Sequence, residues 1–393
     1  MSAIPPKADI AEGRGHIRHP LCHVWTSGNR GRVIIIPVTA IRAECARFAG
    51  WEIIMTKYVG LDVSQKTTVL CIVDGEGHRL WRGECSSSPD QIVHTVLQHA
   101  GAGASIGVET GPMTPWLVHE LRARGLDVIC LDARHARAAL RMQLNKTDRN
   151  DAEGLAQIMR TGWFRAVHVK SFDAHRARAL LGARQQLVGM VTRLSNHIRG
   201  VLKTFGMLPG SVRGRSFAER VELLVAERLD VAPIVRPMLT AWSKLREQIA
   251  AFDKAIRAEV KQSRECRLLM SVPGIGPVTV LAYVSAIERP DRFRRSRLVG
   301  AHLGLTPRQY QSGDVDRSGH ISKCGDTLAR LCLYEAATVI MTRVKRPLGL
   351  KIWAMKIAKR SGTNKARVAL ARKLAVILHS IWRTGEAFCW GAH

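Results

Sequence analysis

The chain has 393 residues and a mass of 43.5 kDa, enough for two or three domains. Its 60 Lys and Arg exceed its 32 Asp and Glu by 28, which favours a polyanionic partner, nucleic acid first. Apolar runs such as 33–36 are too short to span a bilayer, no secretion signal is visible, and the nine Cys include no C-x-x-C pair; membrane spans, disulfide frameworks and structural zinc are therefore not expected.

Residues 1–54 show no sustained period, and strong patterning begins with MTKYVGLDVS at Met55. Residues 1–56 are therefore expected to be a poorly ordered extension. From 57 the pattern is α/β. Strands are predicted at 58–63, 68–73 and 78–85, a helix at 89–100, a strand at 105–109, a helix at 115–125, a strand at 127–132, and helices at 133–143 and 148–162. The order β-β-β-α-β-α-β-α is that of a ribonuclease-H-like domain, placed at 57–170.

Residues 171–265 read as a helical connector. A long helix is predicted at 173–205 and another at 239–265, with Gly, Pro and Arg at 207–237 marking a connector with a short helix between them. Leu239, Trp242, Leu245, Ile249, Phe252, Ile256 and Val260 form a heptad-like seam, suited to a helical hairpin or a coiled-coil contact. A C-terminal domain is placed at 266–393. Its PGIG (273–276) between apolar helical runs has the pattern of a helix-hairpin-helix, in which Gly274 and Gly276 let backbone N–H groups approach a phosphate. A Gly-rich loop is expected over 300–325, then helices near 326–342 and at 364–384.

Charge is uneven. Residues 57–170 carry 14 cations against 12 carboxylates, whereas 289–393 carry 21 against 6. Asp62 late in the first strand, Glu109 ending the strand 105–109, and Asp148 and Asp151 on one face of a helix converge in a ribonuclease-H-like sheet. Carboxylates packed together repel unless a cation neutralises them, and oxygen-only ligands suit Mg²⁺ or Mn²⁺. Two such ions could stabilise the attacking and leaving oxygens of a phosphodiester.

The motifs GLDVS (60–64), VETG (108–111), KTDRNDA (146–152), PGIG (273–276) and GLTPRQYQSG (304–313) resemble those of the insertion sequence 110 family of bacterial transposases, the DEDD transposases. The resemblance implies a RuvC-like domain, a coiled-coil region and a C-terminal transposase domain, with the tetrad at Asp62, Glu109, Asp148 and Asp151. It also implies that Ser312 attacks DNA phosphorus to form a covalent phosphoserine, at a composite site built from more than one subunit of a homo-oligomer. Ser318 and Ser322 are nearby alternatives. It further implies a guide RNA that base-pairs with target and donor DNA. Such delegation leaves the protein to read backbone and shape, which suits a chain with 5% aromatic residues.

Expected phosphate contacts are Arg134, Arg137 and Arg141 in the helix 133–143, Arg308, Arg317 and Lys323 around the serine, and Arg367, Arg372 and Lys373 in the closing helix. The expected location is the bacterial cytoplasm, at the nucleoid. A nuclease that uses water, and a nucleic-acid-binding protein without activity, remain the alternatives.

Overall fold

The computed structural model describes residues 56–142, 145–345 and 347–389, so the expected extension 1–56 lies outside the described residues but for its last position. The chain divides into an N-terminal unit ending at Val169 and a C-terminal unit beginning at Lys170.

The N-terminal unit is built on a five-stranded sheet: β1 (Tyr58–Val63), β2 (Thr67–Val73), β3 (Arg79–Ser86), β4 (Ser105–Glu109) and β5 (Val128–Leu131). The order is β3-β2-β1-β4-β5. β2 runs antiparallel to β1 and β3, while β1, β4 and β5 are parallel. Alternation sorts the side chains. Val59, Leu61, Leu70 and Ile72 join the core against α1 (Pro89–His99) and α2 (Thr114–Ala123). Val69, Cys71 and Val73 face Ala152 and Ala156 of α4 (Asp148–Thr161). α3 (Ala133–Leu140) leads towards α4.

Two glycines set how closely α4 lies on the sheet. A Cβ on Gly60 would stand 2.1 Å from the Ala152 carbonyl oxygen and 2.5 Å from the Ala156 nitrogen. One on Gly107 would stand 2.4 Å from Met159 Cγ. The helix backbone therefore rests directly on β1, at a distance only glycine permits.

The C-terminal unit is helical. α5 (Phe172–Thr204) and α7 (Ala232–Gln262) run antiparallel, joined by α6 (Arg215–Val225). They are registered along their length by Arg176 with Glu259 at 3.4 Å, Arg184 with Asp253 at 2.6 Å, and Trp242 Nε1 donating to Ser195 Oγ at 2.7 Å. α7 begins seven residues before the predicted start at 239. Pro233 lies in its first turn, where no N–H is needed, and Pro237 is carried inside the helix.

The remaining core gathers α8 (Arg264–Leu269), α9 (Pro277–Ile287), α10 (Arg297–His302), α11 (Thr327–Arg343), α12 (Gly349–Ser361) and α13 (Thr363–Thr384). Buried Tyr283 donates to the Ala375 carbonyl at 2.8 Å. Residues 300–325, expected to be a loop, instead include the ribbon β6 (Pro307–Ser312) and β7 (Val315–Ile321). No helix of the described residues is long and apolar enough to cross a membrane.

Candidate active site and nucleic-acid interface

Gly60 and Asp62 are two residues apart on β1 and so share one face. Because Gly60 admits α4, Asp62 faces the start of that helix, where Asp148 and Asp151 occupy the first turn. Thr147 caps α4 by accepting from Asn150 N at 3.2 Å, and carboxylates at a helix N-terminus are favoured by its dipole. β1 and β4 pair in parallel through Leu61 and Val108. Asp62 and Glu109, one residue further on each strand, are therefore neighbours. The Glu109 backbone is held by Thr114, whose hydroxyl donates to the Glu109 carbonyl at 2.8 Å and accepts from Gly111 N at 2.7 Å.

The structure thus brings the four carboxylates into one electrostatic cluster. Burial, followed by the charges of Asp148 and Asp151, pushes the Asp62 carboxyl from 3.8 up to about 6, and Lys146 opposes the shift. Burial, then Asp62 and Asp151, also raises Glu109, opposed by Lys146 and Arg137. Lys146 was not singled out from the sequence, although it stands two residues before Asp148 in KTDRNDA. The cluster is open: among the described residues, only Asp74, Glu76 and His78 bring three ligand atoms within 4.8 Å of one another. That trio has a turn to explain it. Asp74 Oδ1 accepts from Gly77 N at 2.7 Å and His78 N at 2.8 Å, closing the connection between β2 and β3.

Ser312 lies at the tip of the β6–β7 ribbon and pairs with Val315. Gly313 opens the two-residue turn with φ 53°, and Asp314 is not among the positive-φ residues, a type II′ pattern. All of β6, and β7 as far as His320, is exposed. The Ser312 hydroxyl makes no hydrogen bond to any described residue. Ser318 stands opposite Gln309 in β7, and Ser322 follows the ribbon.

The expected phosphate contacts differ in availability. Arg134 is engaged by Asp132, with Nη2 at 2.8 Å from Oδ2, and that pairing holds the Asp132 carboxyl down at about 2. Arg137 borders Glu109, and Arg141 is exposed at the end of α3. Gly274 has a packing role: with φ 80°, its missing Cβ would stand 2.8 Å from Ile340 Cγ1 and 3.1 Å from the Ala336 oxygen of α11. Gly276 is the N-cap of α9. Arg308 donates to the Ser322 carbonyl at 3.3 Å, Arg317 is exposed on β7, and Lys323 adopts φ 54°. Arg367 contacts Asn364 and Tyr334, Arg372 covers Gly300, and Lys373 Nζ lies 4.7 Å from the centre of the Trp353 ring. Sequence reasoning missed a lysine row on and just before α12: Lys345, Lys351, Lys356 and Lys359 border one groove with exposed Ile352 and Met355.

A mixed sheet in this strand order, with acidic residues at the carboxyl ends of its central parallel strands, marks the N-terminal unit as ribonuclease-H-like. Residues 59–207 match a family described as "Transposase", the DEDD group of insertion sequence IS110, and residues 266–353 match "Transposase IS116/IS110/IS902 family". The chain is 28% identical over 341 residues to the transposase for insertion sequence element IS1111A of Coxiella burnetii, covering 86% of this chain and 92% of that one. It is 31% identical over 245 residues to a probable family 20 transposase of Pseudomonas aeruginosa, covering 60% and 72% of the two chains. A shorter match, 29% over 124 residues, reaches the pilin gene-inverting protein of Moraxella bovis. This chain belongs to the IS110/IS116 family of DNA transposases.

Proposed function

We propose that the protein moves DNA by serine attack on phosphodiesters, assisted by divalent metal and directed by a guide RNA. The observation that supports this most is the Asp62 carboxyl, pushed up to about 6 by burial and two neighbouring carboxylates. A fold that gathers negative charge at such a cost is prepared for a cation. The donor set of Asp62, Glu109, Asp148 and Asp151 is all carboxylate oxygen, which fits Mg²⁺ or Mn²⁺. Bound there, the metal would supply Lewis-acid stabilisation of charge on phosphodiester oxygens.

In this reading the Ser312 Oγ–P bond forms as a P–O bond of the DNA strand breaks. The hydroxyl proton passes to a base, and the departing oxygen takes up a proton. A strand hydroxyl later attacks the same phosphorus and releases the serine. A two-stranded ribbon fits the major groove. Isolated ribbons are marginal in water, so one exposed as fully as β6–β7 suits an element that is covered by nucleic acid or another subunit. Gly276, capping α9 without a side chain, suits the phosphate role of a helix-hairpin-helix. Half-buried Leu187, Val191, Leu245, Ile249 and Phe252 on α5 and α7 suit a coiled-coil contact in a homo-oligomer. Residues 57–170 would then supply the carboxylates, 171–265 the assembly contact and 266–393 the nucleophile, working at the nucleoid.

The unpartnered Ser312 hydroxyl favours a second reading, in which water attacks and the serine is a turn residue. A suicide DNA substrate resolved on a denaturing gel separates the two. Ser312→Ala should bind nucleic acid normally and form no covalent adduct. Persistence of the adduct in Ser312→Ala, with loss in Ser318→Ala or Ser322→Ala, would assign another serine. Cleavage by the parent protein without an adduct would establish the water reaction.

A further inference from the structure

The root of the ribbon borders an open cavity of about 830 Å³ within the C-terminal unit, lined also by α12 and α13. Its wall is apolar at Leu305, Ile321, Val368 and Ala369, and Trp353 contributes an indole. Lys365, Arg372 and Lys373 also line it, and no carboxylate does. The Trp353 ring already carries the Lys373 ammonium 4.7 Å from its centre, which holds that cation at the cavity. Asn364 adds a directional group. Its Oδ1 lies 3.4 Å from both Arg367 Nη1 and Tyr334 Oη. Arginine can only donate, so the amide oxygen must face it, and Nδ2 keeps its two donors for a further acceptor.

We infer that this cavity receives one unstacked deoxynucleotide of the DNA strand: the base enters among the apolar side chains, Asn364 donates to a base acceptor, and the cations hold the flanking phosphates. Four features select that occupant. The volume suits a small ligand. The apolar wall and the indole suit a π-face. The charge is of one sign and complements phosphate. The chain is a DNA transposase, so the strand is present. The site is distinct from the reacting centre. Pro307 and Ile321 pair at the root of the ribbon, and Ser312 lies five residues along β6, about 17 Å away. The cavity would therefore fix the position of a strand along the ribbon, whichever group attacks it.

The test is fluorescence anisotropy in metal-free buffer at fixed salt, using full-length Ser312→Ala protein so that no chemistry intervenes. The probes are labelled 12-residue oligothymidylate and an abasic deoxyribose-phosphate chain of equal length. Base stacking predicts about a tenfold preference for oligothymidylate. Ala369→Leu fills the cavity without touching a charge, and should erase that preference while leaving abasic binding unchanged. Lys373→Ala should weaken both probes alike. If Ala369→Leu melts early, Asn364→Ala serves instead and should lower the preference several-fold. Equal binding of the two probes by the starting protein overturns the assignment. So does full preference in both Ala369→Leu and Asn364→Ala. Tighter binding of oligouridylate than of oligothymidylate, lost in Ala369→Leu, would assign the cavity to RNA and overturn the DNA reading.

Discussion

Asp62→Asn should make the protein more stable at neutral pH while removing its activity. The carboxyl moves from 3.8 to about 6 because burial and the charges of Asp148 and Asp151 oppose ionisation. At about 1.4 kcal/mol per pH unit, that displacement corresponds to about 3 kcal/mol for a fully buried group. Asp62 is half-buried, and water screens the repulsion, so about 1–1.5 kcal/mol should survive. For a unit of this size that is about 5 °C in Tm. The sign follows from proton binding. The folded state holds the proton more tightly, so the carboxyl imposes no penalty below about pH 4. The penalty grows as pH rises and is complete above about pH 6. Thermal melts of both proteins in chelator should coincide near pH 4 and separate above pH 6, the asparagine variant being the higher. Added Mg²⁺ should raise the parent and leave the variant nearly still. A variant that melts at or below the parent at pH 7.5 would refute the reading of Asp62 as a strained anion.

Gly60→Val should destabilise the N-terminal unit by about 3 kcal/mol or more and abolish strand cleavage, because a Cβ there meets the α4 backbone at 2.1 Å; urea unfolding monitored by circular dichroism checks the first part and a cleavage assay the second. Lys356→Ala with Lys359→Ala should weaken binding to DNA of any sequence and flatten the plot of log K against log salt by about 2, because each lysine removed leaves one phosphate with its counterion. Tyr283→Phe removes the buried bond to the Ala375 carbonyl and should cost about 1 kcal/mol in denaturant unfolding, with DNA affinity unchanged.

The central strands of the sheet were readable from sequence because both of their faces are largely buried. Tyr58–Val63, Thr67–Val73 and Ser105–Glu109 are short apolar runs, and each lies within a residue of its predicted bounds. The ribbon was not readable for the opposite reason. PRQYQS and VDRSGHI bury almost nothing, so no alternation of apolar and polar residues marks them as strands. α12 escaped because it starts at Gly349 after Leu348, with no side-chain cap to announce it. The carboxylates could be named from strand ends and helix spacing. The device that joins them could not: GLD reads as an ordinary strand end until the helix is seen resting on Gly60. Pro237 misled in the same local way, since its ring is tolerated inside a helix whose packing against α5 outweighs one missing hydrogen bond.

The division of charge also has a physical reason. A site that gathers four carboxylates repels the DNA backbone it must approach. Lys146 and Arg137 temper the cluster without cancelling it, as the raised Asp62 and Glu109 carboxyls show. Residues 57–170 hold nearly equal numbers of cations and anions, so their own attraction for DNA is weak. In the proposed function, affinity would come from elsewhere in the sequence, where residues 289–393 carry a surplus of 15 cations. Cations packed around Asp62 would lower its pKa and compete with metal for the same oxygens. In the proposed function, a cation surplus carried by a different stretch of the sequence would let the chain hold DNA while the carboxylates keep their affinity for a cation.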